Sequence, residues 1–276
     1  MLASFASDLN AVIVGSNGGI GAAFADVLRS RGTVKALGRA DLDLTDPASI
    51  TAAAAAIDGP LDLVIVATGL LHDAAGGPEK SLRDLDAARL AHAFAVNATG
   101  PALVAAAFLP KLRTDRKTAF VALSARVGSI ADNRLGGWYG YRASKAALNQ
   151  LLRTAAIEHA RRAPLSIVAS LHPGTVDTRL SAPFQRGVAA EKLFTPAFAA
   201  TAMLGVIDRL TPAESGAEPV SPHLGDRARA ARAVIGRREP SSGNSRHTVV
   251  RPISARRCGG KAIYSSFFRD GPACRG

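Results

Sequence analysis

The sequence has few of the residues that cross-link small or secreted proteins. It contains 2 cysteines, Cys258 and Cys274, and both lie near the end of the 276-residue chain. Neither has neighbours with the spacing of metal ligands. A disulfide scaffold and a cysteine-ligated metal centre are therefore excluded as the organising feature, and we predict no metal site.

Long uninterrupted apolar runs are also missing. Asp, Arg, His or Pro interrupts each apolar stretch before it reaches the roughly 18 to 20 residues that a membrane-spanning helix needs. The N-terminus has no basic segment, and Asp8 and Asn10 lead directly into a short apolar run, so we predict no secretory signal. These absences predict a cytoplasmic protein that does not bind a membrane.

Positive charge is unevenly distributed along the chain. Residues 217–276 contain 12 Lys and Arg against 4 Asp and Glu, whereas residues 1–216 contain 22 against 18. We therefore predict one globular domain over residues 1–216 and a basic, largely disordered tail over residues 217–276. The tail has little aromatic interleaving, and its charges are more typical of a solvated segment than of a nucleic-acid site. We expect no nucleic-acid partner.

Short apolar strands alternate with alanine-rich helical segments in the first 216 residues. The predicted strands cover residues 11–14, 33–37, 61–67, 118–123 and 165–171. This alternation indicates right-handed βαβ units, and hence an α/β fold with a doubly wound parallel sheet and helices on both faces. In such a sheet, ligands lie across the carboxyl ends of the strands.

A glycine-rich turn follows the first predicted strand. Gly15, Gly19 and Gly21 have the spacing G-x-x-x-G-x-G, and helical periodicity follows from Ala22. A strand, turn and helix in this order place the helix N-terminus beside the turn, where free N–H groups and the positive dipole end attract a diphosphate. Glycines at such a spacing often form a tight turn that binds nothing. Their position between a strand and a helix favours a dinucleotide site here.

Arg39 directly follows the second predicted strand. In a doubly wound sheet this point meets the adenosine ribose, where an arginine can pair with a 2′-phosphate and an acidic residue would bind a free 2′-hydroxyl. Arg39 therefore favours NADP as the cofactor. The alternative is that Arg39 is a solvated loop charge, which leaves NAD open.

Tyr141 and Lys145 stand four residues apart at the start of a run of helix-forming residues. Residues at i and i+4 share a helix face, so the phenol and the ammonium can converge on one point. A nearby cation lowers the pKa of a tyrosine from about 10 and makes Tyr141 a candidate general acid/base. A Tyr and a Lys four residues apart also occur by chance. This pair is significant because Gly69, Ser124 and Pro173 follow other predicted strands, so several segments meet at one cleft.

Together these residues resemble the short-chain dehydrogenase/reductase family, over about residues 10–216, and most resemble its C-factor-like carbonyl-reductase branch. The resemblance implies a Rossmann-like fold, hydride transfer between NAD(P) and a carbonyl or alcohol substrate, and a homodimer or homotetramer paired through two long helices. The features that carry it are the glycine turn, Asp43, Asn97, the Tyr141/Lys145 pair and the segment Pro173-Gly174-Thr175-Val176-Asp177-Thr178.

The resemblance also implies roles for single residues. Tyr141 would exchange a proton with the substrate oxygen, while Lys145 would bind the nicotinamide ribose and lower the pKa of the tyrosine. Asn97 would order a water that relays protons. The residues expected to bind the cofactor cluster at the strand ends, and they are Gly15, Asn17, Gly19, Ile20, Gly21, Arg39, Asp43, Thr68, Gly69, Lys145, Pro173, Gly174, Val176 and Thr178.

Three features depart from the family pattern. The family's substrate-polarising serine is normally the second of a Ser-Ser pair, but here Ala125 takes that place, which leaves Ser124 and Ser129 as candidates. The family's Asn-Asn-Ala-Gly is replaced by the sequence at 66–69, Val-Ala-Thr-Gly. The family's last strand is replaced by the basic tail, which we interpret as a shifted reading frame or a fused extension. A cofactor-binding signalling or scaffold protein with little turnover is therefore the alternative function.

Overall fold

The computed structural model describes residues 2–73 and 76–217. Apart from residue 217, the tail lies outside the described residues, so its predicted disorder and its origin stay predictions. The strands are β1 (Leu9–Val14), β2 (Gly32–Leu37), β3 (Leu63–Val66), β4 (Thr118–Leu123), β5 (Ser166–Leu171), β6 (Thr175–Val176) and β7 (Leu193–Phe194). The α-helices are α1 (Gly19–Leu28), α2 (Pro47–Ala55), α3 (Ala87–Phe94), α4 (Gly100–Phe108), α5 (Tyr139–His159) and α6 (Pro196–Arg209).

Strands β1 to β5 form one parallel sheet in the order β2-β1-β3-β4-β5. The predicted doubly wound parallel sheet is confirmed. The chain winds outward from β1 to β2 and then, on the other side, from β3 to β5. The connections therefore diverge between β1 and β3, which opens a crevice at the carboxyl ends of these two strands. The short pair β6 and β7 forms a separate parallel ladder.

The sheet separates two hydrophobic cores, because alternate strand residues point to opposite faces. Val12 and Phe120 belong to the core under α2, α4 and α5. Ile13 and Val121 belong to the core under α1 and α6. Both faces of the sheet are thus covered by helices, which explains why its strands are near-continuous apolar runs rather than alternating ones.

A π-helical turn at Ala95–Thr99 separates helices α3 and α4. Pro101 lies in the first turn of α4, directly after this turn. A proline lacks the N–H that an α-helix interior uses, and a π turn is one arrangement that accommodates the disruption. By length and composition alone, the stretch Ala87–Lys111 is apolar enough to cross a membrane, and half of its most apolar window is buried inside the fold.

Helix α5 begins at Tyr139, directly after three residues in the left-handed conformation. Gly136, Gly137 and Trp138 have φ angles of 63°, 62° and 54°. Glycine adopts this conformation without strain, whereas a bulky side chain does so rarely. The turn places Tyr141 inside the first turn of α5, near the carboxyl ends of the strands.

Candidate active site

The glycine turn between β1 and α1 is tight. Gly15 has a φ of +88°, and a Cβ added there would lie 2.7 Å from Thr68 Cγ2. A Cβ on Gly21 would lie 2.2 Å from the carbonyl oxygen of Gly15, so both positions require glycine. Helix α1 begins at Gly19 with no side-chain cap. The N–H groups of its first turn and its positive dipole end are therefore available to an anion.

Three of the residues predicted to bind the cofactor follow strands β1 and β2. Asn17 packs against Gly38, where an added Cβ would come within 2.5 Å of Asn17 Nδ2. Arg39 is exposed. Asp43 accepts hydrogen bonds from Thr45 N at 2.8 Å and Thr45 Oγ1 at 2.7 Å. These bonds, with a smaller contribution from Arg39, hold the pKa of Asp43 below its ordinary value.

Two adjoining cavities open at the carboxyl ends of the strands. The first, which we call the glycine-turn cleft, has a volume of about 380 Å³ and is bordered by Gly19, Thr68 and Lys145. The second, which we call the apolar cavity, has a volume of about 350 Å³ and is lined mostly by apolar residues. Tyr141 and Ser124 line both cavities. The phenol therefore stands at the boundary between them.

Most of the predicted site residues come together at this boundary. Those that line one or both cavities are Gly19, Ile20, Thr68, Gly69, Ser124, Tyr141, Lys145, Pro173, Gly174, Val176 and Thr178. Gly15 and Gly21 shape the turn instead. Ser129 lines neither cavity, and its N–H donates to Arg126 O at 3.0 Å. Of the two candidate serines, Ser124 is the one that the fold brings to the site.

Tyr141 and Lys145 both face the glycine-turn cleft, as their spacing predicts. Lys145 Nζ lies 5.9 Å from the centroid of the Tyr141 ring and donates to Leu123 O at 2.7 Å. Burial lowers the pKa of Lys145 to about 7 and raises the pKa of Tyr141 to about 12. The expected lowering of the tyrosine pKa does not hold in this structure, because desolvation disfavours the charged form of both groups.

Asn97 holds the chain that leaves β3. Its Oδ1 accepts from Leu70 N at 2.8 Å, and its Nδ2 donates to Leu70 O at 2.8 Å and to Ser144 Oγ at 3.1 Å. A Cβ on the neighbouring Gly69 would lie 3.8 Å from Asn97 Oδ1 and 3.9 Å from Lys145 Nζ. Asn97 therefore fixes the wall of the cleft beside the lysine. The water relay that the resemblance implies stays a prediction.

Asn149 is a site residue that the sequence analysis did not identify. Ser124 is buried at the end of β4, and its Oγ donates to Asn149 Oδ1 at 2.7 Å. This bond directs the serine proton toward α5 and leaves the serine oxygen as an acceptor. Asn149 follows Lys145 by four residues and so shares its helix face, which is the signal that could have identified it.

The groups around the glycine-turn cleft fit a dinucleotide. The buried Thr68 Oγ1 has no hydrogen-bond partner among residues 2–73 and 76–217. Burying a hydroxyl without a hydrogen-bond partner costs free energy, and a polar ligand in the cleft would supply that partner. The uncapped α1 and the exposed Arg39 suit phosphate groups. In the same described ranges, no cluster of three or more His, Cys, Asp or Glu could hold a metal ion.

Sequence comparison connects this site to characterised proteins. The family model described as short chain dehydrogenase matches residues 35–188, which is more than half of the chain. C-signal of Myxococcus xanthus is 36% identical over 158 residues, which cover 57% of this chain and 87% of that protein. The 1-hydroxy-2-glutathionyl-2-methyl-3-butene dehydrogenase of Rhodococcus sp. (strain AD45) is 37% identical over 121 residues, which cover 44% of this chain and 50% of that protein.

Solved structures share the fold. The NADPH-bound carbonyl reductase from chicken fatty liver superposes with a TM-score of 0.66 at 24% identity, covering 79% of this chain and 97% of that chain. Carbonyl reductase Sniffer of D. melanogaster superposes with a TM-score of 0.64 at 19% identity, covering 78% of this chain and 97% of that chain. The matching family model, the similarity to C-signal and the shared fold show that the chain belongs to the short chain dehydrogenase family of oxidoreductases.

Proposed function

We propose that the chain is an NADP-dependent oxidoreductase of the carbonyl-reductase type, which transfers hydride between the nicotinamide and a carbonyl or alcohol substrate. The observation that carries this proposal is the position of Tyr141, which borders both the glycine-turn cleft and the apolar cavity. A substrate oxygen beside the phenol would have the cofactor on one side and an apolar pocket on the other. The exposed Arg39 and the neighbours of the same fold that hold NADPH or NADP support the choice of cofactor.

The chain's own residues supply proton transfer and alignment. A bound nicotinamide supplies or accepts the hydride. Burial keeps Tyr141 protonated at neutral pH because its pKa is about 12, so in the reductive direction it donates its proton to the oxygen that gains negative charge. Lys145 borders the cleft, where its amine would bind the ribose of a nicotinamide cofactor. Asn97 fixes the wall of the cleft beside Lys145, and Asn149 accepts a hydrogen bond from the Ser124 hydroxyl.

A cofactor-binding signalling or scaffold protein with little turnover is the second candidate. Ala125 lines the apolar cavity at the point where the resemblance expects a polarising serine. Loss of one such donor typically lowers the catalytic rate by about 100- to 1,000-fold. A protein of this kind would keep the glycine turn and the uncapped α1, and hence cofactor binding, while it lost most of its catalytic activity.

Turnover and cofactor binding separate the two candidates. Purified protein is titrated with NADPH by fluorescence, and NADPH oxidation is then followed with a panel of aldehydes, ketones and quinones. Oxidation that depends on both the protein and a carbonyl compound supports the reductase. Tight NADPH binding without oxidation supports the second candidate, and failure to bind NADPH contradicts both.

We also propose that two or more copies pair through the outer faces of α4 and α5. A groove of about 640 Å³ runs along these faces and is lined mostly by small and apolar residues, among them Ala102, Ala106, Leu151 and Ala155. Leu151 is 42% exposed there. Small side chains allow close approach of helices from a second copy, which supports a homodimer or homotetramer. A cytoplasmic location stays a prediction.

A further inference from the structure

Trp138 has a backbone conformation that bulky residues avoid. Its φ and ψ are 54° and 44°, in the left-handed region. Leu2 is the one other non-glycine residue with positive φ in the described parts of the chain. Such a conformation persists only where the surroundings enforce it, and it concentrates at binding sites.

Glu79 accepts hydrogen bonds from the backbone N–H groups of Trp138 and Gly140, which flank the first residue of α5. Its carbonyl oxygen accepts from Trp138 N at 2.5 Å, and its carboxylate Oε2 accepts from Gly140 N at 3.1 Å. Glu79 is 6% exposed, and its carboxylate sits at the positive end of the α5 dipole, where negative charge is favourable. A Cβ on Gly140 would lie 3.0 Å from Glu79 Oε1, so the close approach favours glycine.

The Trp138 side chain forms part of an aromatic wall beside the phenol. Trp138 lines the apolar cavity, with its ring centroid 6.3 Å from that of Tyr141 and 5.2 Å from that of Phe184, both edge to face. His72 contacts Phe184 at a centroid distance of 5.8 Å, also edge to face. Such arrangements are the favourable ones for aromatic pairs. A flat ring bound in the cavity would pack edge to face against Trp138 in the same way.

The rest of the cavity favours an uncharged ligand. The residues lining it include no Asp, Glu or Lys. Arg126 lines it, but the guanidinium is paired with Asp132 at 2.6 Å. The wall around Trp138 is continued by apolar residues such as Leu71, Leu180 and Val188. A cationic substrate would find no carboxylate in this lining, and the Asp132 carboxylate offsets the positive charge of Arg126 that an anionic substrate would meet.

We propose that Trp138 determines the substrate specificity of the apolar cavity, and that Glu79 is the positioning residue that holds it there. The cavity then selects uncharged carbonyl compounds with a flat ring beside the carbonyl group over compounds of similar size with a puckered ring. This inference rests on the proposed reductase function, because it names the substrate class of the same site.

The test compares two aldehydes of similar size across matched variants. Benzaldehyde carries a flat ring and cyclohexanecarbaldehyde a puckered one, and kcat/KM is measured for each with NADPH. The two aldehydes differ in intrinsic reactivity, so the readout is the change in the ratio of their kcat/KM values on mutation. Trp138→Ala removes the wall. Leu135→Ala, three residues away and 91% exposed, is the control.

We expect Trp138→Ala to lower the benzaldehyde preference about three- to tenfold, chiefly through KM, because one edge-to-face contact is worth that much. Leu135→Ala leaves the ratio unchanged. Glu79→Ala lowers the ratio in the same direction, whereas Glu79→Gln restores it because the amide oxygen still accepts from Gly140 N. A ratio that is the same in wild type, Trp138→Ala and Glu79→Ala overturns the inference, even if all activities fall together.

A second readout keeps this inference distinct from the proposed function. Trp138 is the single tryptophan of the chain, so intrinsic protein fluorescence reports ligands that reach it. If the wild type turns over neither aldehyde and no other member of the carbonyl panel, the reductase proposal fails, and binding is then titrated with benzyl alcohol and cyclohexylmethanol. Tighter binding of benzyl alcohol supports the specificity role of Trp138, and equal affinities overturn it.

Discussion

Lys145 carries a stability penalty that depends on pH. The residue is 2% exposed, and burial lowers its pKa from the ordinary 10.5 to about 7. Between these two values the unfolded chain binds a proton that the folded protein does not, so the stability contributed by this residue rises with pH across that window. Below pH 7 the penalty of burying the amine is fully present.

We expect Lys145→Met to show this penalty directly. The variant keeps a long side chain but has no group to ionise, so relative to wild type it should be most stabilised below pH 7. Its relative advantage should shrink steadily as the pH rises toward 10.5. Urea unfolding of both cofactor-free proteins at several pH values measures the difference in the free energy of unfolding. A difference that is constant with pH contradicts the buried position of the amine.

We propose that the cofactor preference depends on Arg39. We expect Arg39→Asp to weaken NADPH binding about 10- to 100-fold, because a charge-assisted hydrogen bond to a phosphate is worth about 1.5 to 3 kcal/mol. NADH binding should be unchanged or improved, since an acidic residue suits a free 2′-hydroxyl. Fluorescence titrations with both cofactors measure this, with Arg83→Asp as a control for the loss of an exposed positive charge. Equal losses for NADPH and NADH in Arg39→Asp contradict the assignment.

At the scale of a structural element, the turn between β1 and α1 leaves no room for a side chain. A Cβ on Gly21 would meet the Gly15 carbonyl oxygen at 2.2 Å, and backbone cannot move away as a flexible side chain can. We expect Gly21→Ala to destabilise the protein by about 1 to 3 kcal/mol and to abolish detectable NADPH binding. Thermal unfolding and cofactor titration measure both effects.

Gly77→Ala is the matched control for this variant, because a Cβ on Gly77 would meet nothing within 4 Å. We expect its stability and its NADPH affinity to equal those of wild type. If Gly21→Ala also binds NADPH normally, the phosphates do not rest on this turn.

Helix α5 shows which parts of the site the sequence could predict. The positions of Tyr141 and Lys145 follow from helix periodicity, which is a local property. The roles of Glu79 and Trp138 depend on two segments that are far apart in sequence and meet in the fold. The raised pKa of Tyr141 likewise depends on burial, which spacing along a helix does not reveal. Local patterns therefore predicted which residues border the candidate site, whereas tertiary contacts decide the pKa values of its side chains.

At the scale of the molecule, the sequence predicted the class of sheet but not the order of its strands. Alternating strands and helices predict a doubly wound parallel sheet, and the crevice between β1 and β3 follows from its topology. The predicted domain limit at residue 216 stays a prediction. At that point the chain still pairs with β5, since Gly216 N donates to Val168 O at 2.7 Å and Ser215 Oγ accepts from Val168 N at 3.0 Å.

The outer faces of α4 and α5 give a prediction for the assembled molecule. We expect the wild type to be a dimer or tetramer in solution, and Leu151→Glu to shift it toward monomer, because a charge would be buried without a partner at the contact. Ile130→Glu, at an 85% exposed position on another surface, is the control. Light scattering coupled to size-exclusion chromatography measures the mass. A monomeric wild type, or an unchanged mass in Leu151→Glu, contradicts the proposed face.

The most direct measurement compares wild type with Tyr141→Phe, which removes one hydroxyl from the boundary of the two cavities. NADPH affinity and the rate of carbonyl-dependent NADPH oxidation are measured on the same preparations. We predict that Tyr141→Phe binds NADPH with an affinity within about twofold of wild type and loses about 100- to 10,000-fold in kcat/KM, the range of general acid catalysis. Turnover that survives the loss of this hydroxyl would contradict the role of Tyr141 as proton donor.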